Sequence, residues 1–257
     1  MKELFLGCCD GSTYRALRTL PHPINVMVNY SSKVRSYPQN TRLRFLDSGG
    51  FSYFFKAIEF DNRIDKYVNF VLKHNVDLFA NRDYPCEPEL LKKRHSTVLQ
   101  NQMRTLDNQI KIERHINYHH PELFNRFVAV LQGWEPDDYI FMADTLNDHG
   151  LLTDLVGIGS VCRRNSNKAI KDVIMTIHEQ FPCLKLHGFG IKFGLLKDAD
   201  VWEALHSVDS QAFRYNISAG PIPQWIRIQR RIENWLGLYG ELDKEHRENG
   251  RSRMMER

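Results

Sequence analysis

The sequence predicts an α/β fold, a (β/α)8 TIM barrel carrying a basic C-terminal helix. Three observations support this. Short apolar, β-rich runs alternate with longer stretches of helical length and spacing, the rhythm of a parallel sheet with helices outside. Several runs are continuously hydrophobic rather than alternating, as strands covered on both faces are. The chain has 257 residues, close to the length of about 250 that such barrels take, and no Gly-x-Gly-x-x-Gly follows the first run to suggest a dinucleotide fold.

In chain order the predicted strands are Leu4 to Leu6, Ile24 to Val28, Leu43 to Leu46, Val76 to Phe79, Phe127 to Leu131, Leu155 to Val161, Leu184 to Phe189 and a weaker run at Ser207 to Phe213. Between them, Asp61 to His74, Pro88 to Tyr118, Pro136 to His149, Asn165 to Gln180 and Asp198 to His206 have helical spacing. Trp225 to Leu236 reads as an amphipathic helix whose basic face carries Arg227, Arg230 and Arg231. Residues 1–240 form one barrel domain in this reading. From Glu241 charge dominates, and residues 241–257 are expected to be a frayed, disordered tail.

Composition narrows the function classes. A content of 42% hydrophobic and 26% charged residues is that of a soluble globular protein. No segment approaches the roughly 18 apolar residues of a membrane span, so no membrane partner is expected. The first apolar stretch meets Asp10 at once, which disfavours a secretory signal and predicts a cytoplasmic protein. The five cysteines are odd in number, scattered, and lack any Cys-x-x-Cys pair, which argues against a disulfide framework and a zinc ribbon. A net charge of +4 permits nucleic-acid binding without demanding it.

Functional groups of such barrels gather at the C-terminal ends of the strands. Those ends read Asp47-Ser48-Gly49-Gly50, Asn81-Arg82-Asp83, Gln132-Gly133-Trp134, Gly157-Ile158-Gly159-Ser160, His187-Gly188 and Asp209-Ser210. One mouth thus collects three carboxylates, an amide and several glycines. Carboxylates in different surroundings can divide labour between nucleophile, proton carrier and hydrogen-bond acceptor. Glutamine offers both donor and acceptor to a heterocycle, and glycines let a flat ligand approach the backbone. The set suits a purine base. Asp47 and Asp209 also fit turn or cap positions, and Asp83 fits an ion pair with Arg82.

These residues resemble the tRNA-guanine transglycosylase superfamily, and within it most closely the DpdA-like DNA transglycosylases that put 7-deazaguanines into DNA, largely in phages and bacterial modification islands. Asp47-Ser48-Gly49-Gly50-Phe51 is similar to the superfamily's Asp-Ser-Gly-Gly-Phe motif. Val156 to Arg164 and Leu186 to Lys192 resemble blocks of the DpdA-like branch, and Val130 to Trp134 and Val208 to Ser210 match in the same order. The resemblance implies a barrel and a base exchange through a covalent enzyme–nucleic acid intermediate. It further implies Asp209 as nucleophile and Asp47 as general acid/base, with these two roles exchangeable. Asp83 and Gln132 would read the base, and Gly157, Ile158 and Gly159 would make backbone contacts. Ser48, Gly49, Gly50 and Gly133 complete the expected substrate pocket; His187 either joins them or is a histidine hydrogen-bonded within the barrel mouth.

The implied partners are DNA and a free 7-deazaguanine base, in a bacterial or phage-infected cell; no cofactor is expected. Two departures from the tRNA enzymes stand out. Ser52 occupies the place where they usually carry glutamine, and no cysteine follows Cys183, so their late zinc cluster is missing. A different zinc site using Cys86, Cys162 and histidines is the remaining metal option. Arg163 and Arg164 are candidate phosphate ligands, as are Arg227, Arg230 and Arg231; the alternative for each is a solvated or snorkelling arginine. The rival readings are the same chemistry on tRNA and a nucleic-acid-binding module with a dead pocket.

Overall fold

The computed structural model describes residues 2–61, 63–217 and 220–255. Eight parallel strands close into a barrel in sequence order: β1 (Glu3–Cys8), β2 (Ile24–Asn29), β3 (Thr41–Asp47), β4 (Leu78–Ala80), β5 (Phe127–Leu131), β6 (Leu155–Ile158), β7 (Lys185–Gly188) and β8 (Leu205–Ser210). Closure is made by β8 pairing with β1, Phe5 opposite Asp209 and Leu6 opposite Ser210. The outer layer contains α1 (Gly11–Arg18), α2 (Gly50–Phe55), α3 (Ile64–Lys73), α4 (Pro88–Arg94), α5 (Val98–His119), α6 (Pro136–Asp148), α7 (Asn167–Gln180), α8 (Ala199–Ala204) and α9 (Gln224–Met255). The predicted barrel is therefore the observed one.

The continuous hydrophobicity of the strands divides between two cores. Phe5, Met27, Phe45, Ala80, Val128 and Val130 fill the barrel interior. Their neighbours Leu4, Leu6, Val26, Val28, Leu46, Phe79, Ala129 and Leu131 pack outward against the helices. Because successive side chains point to opposite faces, this alternation sets which strand-end residues look into the mouth.

Some boundaries differ from the sequence reading. The helix expected from Pro88 to Tyr118 is broken at His95, whose φ of +48° is left-handed, and restarts at Thr97, which forms a capping box with Gln100. The sixth strand stops at Ile158, short of Val161, because Ser160 has a φ of +52°. The short helix α1 was not anticipated; Asp10 caps it by accepting from the Thr13 N–H at 2.8 Å.

Of the tail expected from residue 241, residues 256 and 257 lie outside the described residues; the described part continues helix α9 to Met255, and the apolar stripe of Ile228, Ile232, Trp235, Tyr239 and Leu242 carries the helix's buried face just past residue 241. His246 adds a stacked contact with Trp202, rings 4.7 Å apart, and its Nε2 meets the Leu196 carbonyl at 2.9 Å.

Candidate active site

The two-residue period of the strands delivers the site. Phe45 faces the interior, so Asp47 does too; Val130 places Gln132 likewise, and Leu155 is followed inward by Gly157 and Gly159. On the other side of the barrel the inward positions are His187 and then Ser207 and Asp209. Asp83 reaches the same mouth from the loop after β4.

Asp47 is half-buried at the end of β3. Its Oδ2 accepts from Asn29 Nδ2 at 2.7 Å and its Oδ1 from the Gly49 N–H at 3.2 Å. The double glycine is required by geometry. Gly49 has a φ of +79°, and a Cβ on Gly50 would lie 2.2 Å from the Asp83 carbonyl oxygen. That close approach lets buried Ser48 donate to Asp83 Oδ1 at 2.7 Å while accepting from the Gly50 N–H. Burial, followed by the charge of Asp83, raises the Asp47 carboxyl to about 7; the charge of Asp209 adds to this, while Gly49 and Asn29 oppose it. Asp83 is also raised by burial, against the hydrogen bonds from Ser48 and Gln132. Arg82 does not pair with Asp83 but turns to Asp61 and lies over the Phe60 and Tyr67 rings.

Asp209 is held differently. The Gly190 N–H donates to its Oδ1 at 2.7 Å, and His187 Nε2 lies 3.6 Å from the same oxygen. His187 itself is fully buried, hydrogen-bonded through Nδ1 to Ser207 Oγ at 2.8 Å and surrounded by Phe5, Phe45 and Phe189. It supports Asp209 from below, as the reading of a histidine hydrogen-bonded within the mouth has it, and not as a substrate contact.

Gln132 is buried and bridges the site. Its Nε2 donates to Asp83 Oδ2 at 2.5 Å, and its Oε1 accepts from Ser160 Oγ at 2.7 Å. A Cβ on Gly159 would lie 2.2 Å from Gln132 Nε2, so glycine there is a matter of space for the amide. Tyr139, on α6, ties the Gly159 carbonyl down with a 2.9 Å hydrogen bond. Gly159→Ala is accordingly expected to push Gln132 off Asp83, with an unfolding loss of about 1–3 kcal/mol that thermal melting checks.

Other expected residues lie elsewhere. Gly133 backs onto Asp138 and Tyr139 of α6, and the Ile158 side chain belongs to the outer core, leaving its backbone to face the mouth. Gly157 makes room for the Phe189 ring, which a Cβ would approach to 2.3 Å. Arg164 is buried, bonded to the carbonyls of Ser160 and Trp134 and lying 4.1 Å from the Trp134 ring centre, so it clasps two loops together and is not a phosphate ligand. Arg163 is exposed. Arg227 and Arg231 brace the segment after β8 through the Gly220, Tyr215 and Asn216 carbonyls, and Arg230 faces solvent beside them.

Cys86 is buried, and burial pushes its thiol far up. Among the described residues no group of three or more His, Cys, Asp or Glu side chains is arranged to hold a metal. Ser52 is half-buried on α2. A cleft of about 570 Å³ lined by residues including Phe60, Arg82, Tyr84 and Arg104 contains none of the three aspartates.

Sequence reasoning missed Asn29 and Glu87 and placed Ser160 at a strand end without giving it a role. Asn29 carried a usable signal, since it is the last residue of a strand neighbouring the Asp47 strand and pairs with Asp47 in register. Glu87 carried none, because its role depends on a loop-to-loop contact with Ser160.

Residues 1–226 match the model of the family DpdA, DeoxyPurine in DNA protein A. The chain belongs to the DpdA family. Membership extends the resemblance of the motif blocks to nearly the whole barrel and makes this a DNA-modifying enzyme of the transglycosylase type. A search of the curated proteins finds no match. The DpdA match ends at the start of α9, so the rest of that helix is an addition to the family's matched region. Among the described residues no helix is long and apolar enough to cross a membrane.

Proposed function

We propose that the protein exchanges guanine in DNA for a 7-deazaguanine, such as the 7-cyano form, through a covalent aspartyl–sugar intermediate. The observation that carries this reading is the unequal treatment of two carboxylates in one mouth. Asp47 is poised near neutrality by burial and by its acidic neighbours, whereas Asp209 is anchored by a backbone N–H. In the first half-reaction the Asp209 carboxylate attacks the sugar C1′ and the glycosidic C–N bond breaks. Guanine leaves with a proton supplied by Asp47. In the second, ionised Asp47 takes the N9 proton of the incoming deazapurine, N9 attacks C1′, and the aspartyl ester bond breaks to free Asp209. Atoms and protons balance without a cofactor.

Base reading falls to Asp83 and Gln132. A carboxylate accepts the N1–H and 2-amino protons of a guanine-type edge, and an amide N–H donates to its O6. The backbone of Gly157, Ile158 and Gly159 offers a flat surface beside them. A base inside a duplex is out of reach of this pocket, so the nucleotide has to be extruded at a cost of a few kcal/mol.

The rim supports a nucleic-acid strand. The Arg163 guanidinium lies 4.1 Å from the centre of the Phe51 ring, Phe51 stacks on Phe55 at 6.1 Å, and Lys93 lies 4.3 Å from the centre of the Phe55 ring. Phe55 is 48% exposed. Cations interleaved with exposed aromatics, starting one residue after Gly50, suit bases and phosphates flanking an extruded nucleotide.

Exchange of labelled guanine in duplex DNA, single-stranded DNA and tRNA tests the reading: release from DNA with deazapurine uptake is expected, and exchange confined to tRNA would overturn the choice of substrate. The DpdA match favours DNA.

A further inference from the structure

Behind Gln132 lies a second, buried layer that the base-exchange chemistry does not use. Ser160 Oγ accepts from the Cys86 N–H at 2.8 Å and lies 2.7 Å from Gln132 Oε1 and 3.0 Å from Glu87 Oε2. Ser160 and Glu87 are both buried. A serine hydroxyl has one proton, so it cannot donate to both neighbours. Asp83 decides which of them receives it. Ser48 donates to Asp83 Oδ1, and an ionised Asp83 can only accept, so with Asp83 as the carboxylate the glutamine keeps its NH2 group toward Asp83 Oδ2 and its carbonyl toward Ser160. The serine proton therefore goes to Gln132 Oε1, and the remaining contact needs a proton from the acid.

We propose that Glu87 is a positioning residue for base recognition: its carboxyl donates to Ser160 Oγ, Ser160 donates to Gln132 Oε1, and Gln132 is thereby locked with its N–H toward Asp83 and the pocket. This rests on the base-exchange reading for its consequence, which is selectivity at purine position 6. A locked N–H accepts a 6-oxo purine and opposes a 6-amino one. A rotated amide, with its carbonyl in the mouth, has the opposite preference. Burial raises the Glu87 carboxyl, against its own backbone N–H and the contact with Ser160, with Asp83 adding to the rise and Arg163 opposing it. The thiol of Cys86 and the phenol of Tyr139 also face Glu87, and both are pushed upward, chiefly by burial; the exposed thiol of Cys162 lies on the same side.

The test compares wild type with Glu87→Gln, whose amide N–H still donates to Ser160, and with Glu87→Leu, which cannot donate. Calorimetric affinities for guanine and 2,6-diaminopurine are measured on the free protein. Glu87→Gln is expected to keep the wild-type preference for guanine, and Glu87→Leu to lose it by roughly 10- to 100-fold. In wild type, guanine affinity is expected to fall more steeply as pH rises than in Glu87→Gln: the titration of Asp47 acts in both proteins, and the additional fall from Glu87 ionising should be missing in Glu87→Gln.

Unchanged selectivity in a folded Glu87→Leu, or equal losses in both variants, overturns the proposal. If Glu87→Leu does not fold, the Glu87→Gln affinities and the two pH profiles decide it. A ligand-free infrared difference between wild type and Glu87→Gln near neutral pH separates this proposal from the exchange reading. An ionised Glu87 overturns the relay whatever the protein binds. A protonated Glu87 in a protein that binds neither base supports the relay and overturns the exchange reading.

Discussion

Asp209→Asn is expected to abolish the covalent protein–DNA adduct and to lower base exchange by about 10⁴-fold or more, the scale seen when a nucleophile is removed. The substitution is nearly isosteric, and an asparagine oxygen can still accept from the Gly190 N–H, so the fold should persist. Denaturing electrophoresis of protein trapped on a guanine-containing oligonucleotide reads the result directly. Asp47→Asn should differ in kind. It is expected to slow exchange by roughly 10²- to 10⁴-fold through loss of proton transfer while leaving the nucleophile in place. An adduct that persists in Asp209→Asn and vanishes in Asp47→Asn would exchange the two roles.

The second large effect is in pH dependence. With the Asp47 carboxyl at about 7, adduct formation, which needs its proton, should fall as pH rises through that value. Adduct resolution, which needs the carboxylate, should fall as pH drops below it. Overall exchange should therefore peak near neutrality. Asn29→Leu removes a hydrogen bond that favours the ionised form, so both limbs should move to higher pH by about one unit. A stopped-flow or quench-flow pH profile of each half-reaction checks the direction, and a downward move would contradict this account of Asp47.

The same raised value has a consequence for stability. Because the folded value lies above the unfolded one, the neutral form's contribution is fully present below about pH 4 and is lost as pH rises through about 7. Above neutrality Asp47→Asn should consequently melt at a higher temperature than wild type. After discounting for partial exposure, the gain is about 2 kcal/mol. A site that is more stable without its acid is the usual trade between stability and function.

The barrel was legible because its signals are local. Apolar runs, their continuous character and the helical stretches between them each span a few residues, and they order the strands without any knowledge of contacts. The placement of Asp47, Gln132 and Asp209 was legible for a related reason: each follows an apolar run at a strand end, where the fold places its functional groups. The arginines were not. Arg163 and Arg164 look alike in sequence, yet one lies over Phe51 at the rim and the other is buried against Trp134. Charge alone does not say which way a side chain turns. The tail misled because its many charges obscured Leu242 and His246, two residues that continue the stripe of α9.

By itself, then, the sequence determined the eight-stranded layout, the strand-end motifs and the family to which they belong, since all of these are written in short-range pattern. The tertiary structure alone decided how the carboxylates are tuned, that His187 lies beneath Asp209, and that Glu87 stands behind Gln132. Those depend on pairs such as Ser160 and Glu87, 73 residues apart, which meet only when barrel closure and buried packing bring distant polar groups into one hydrogen-bonded network.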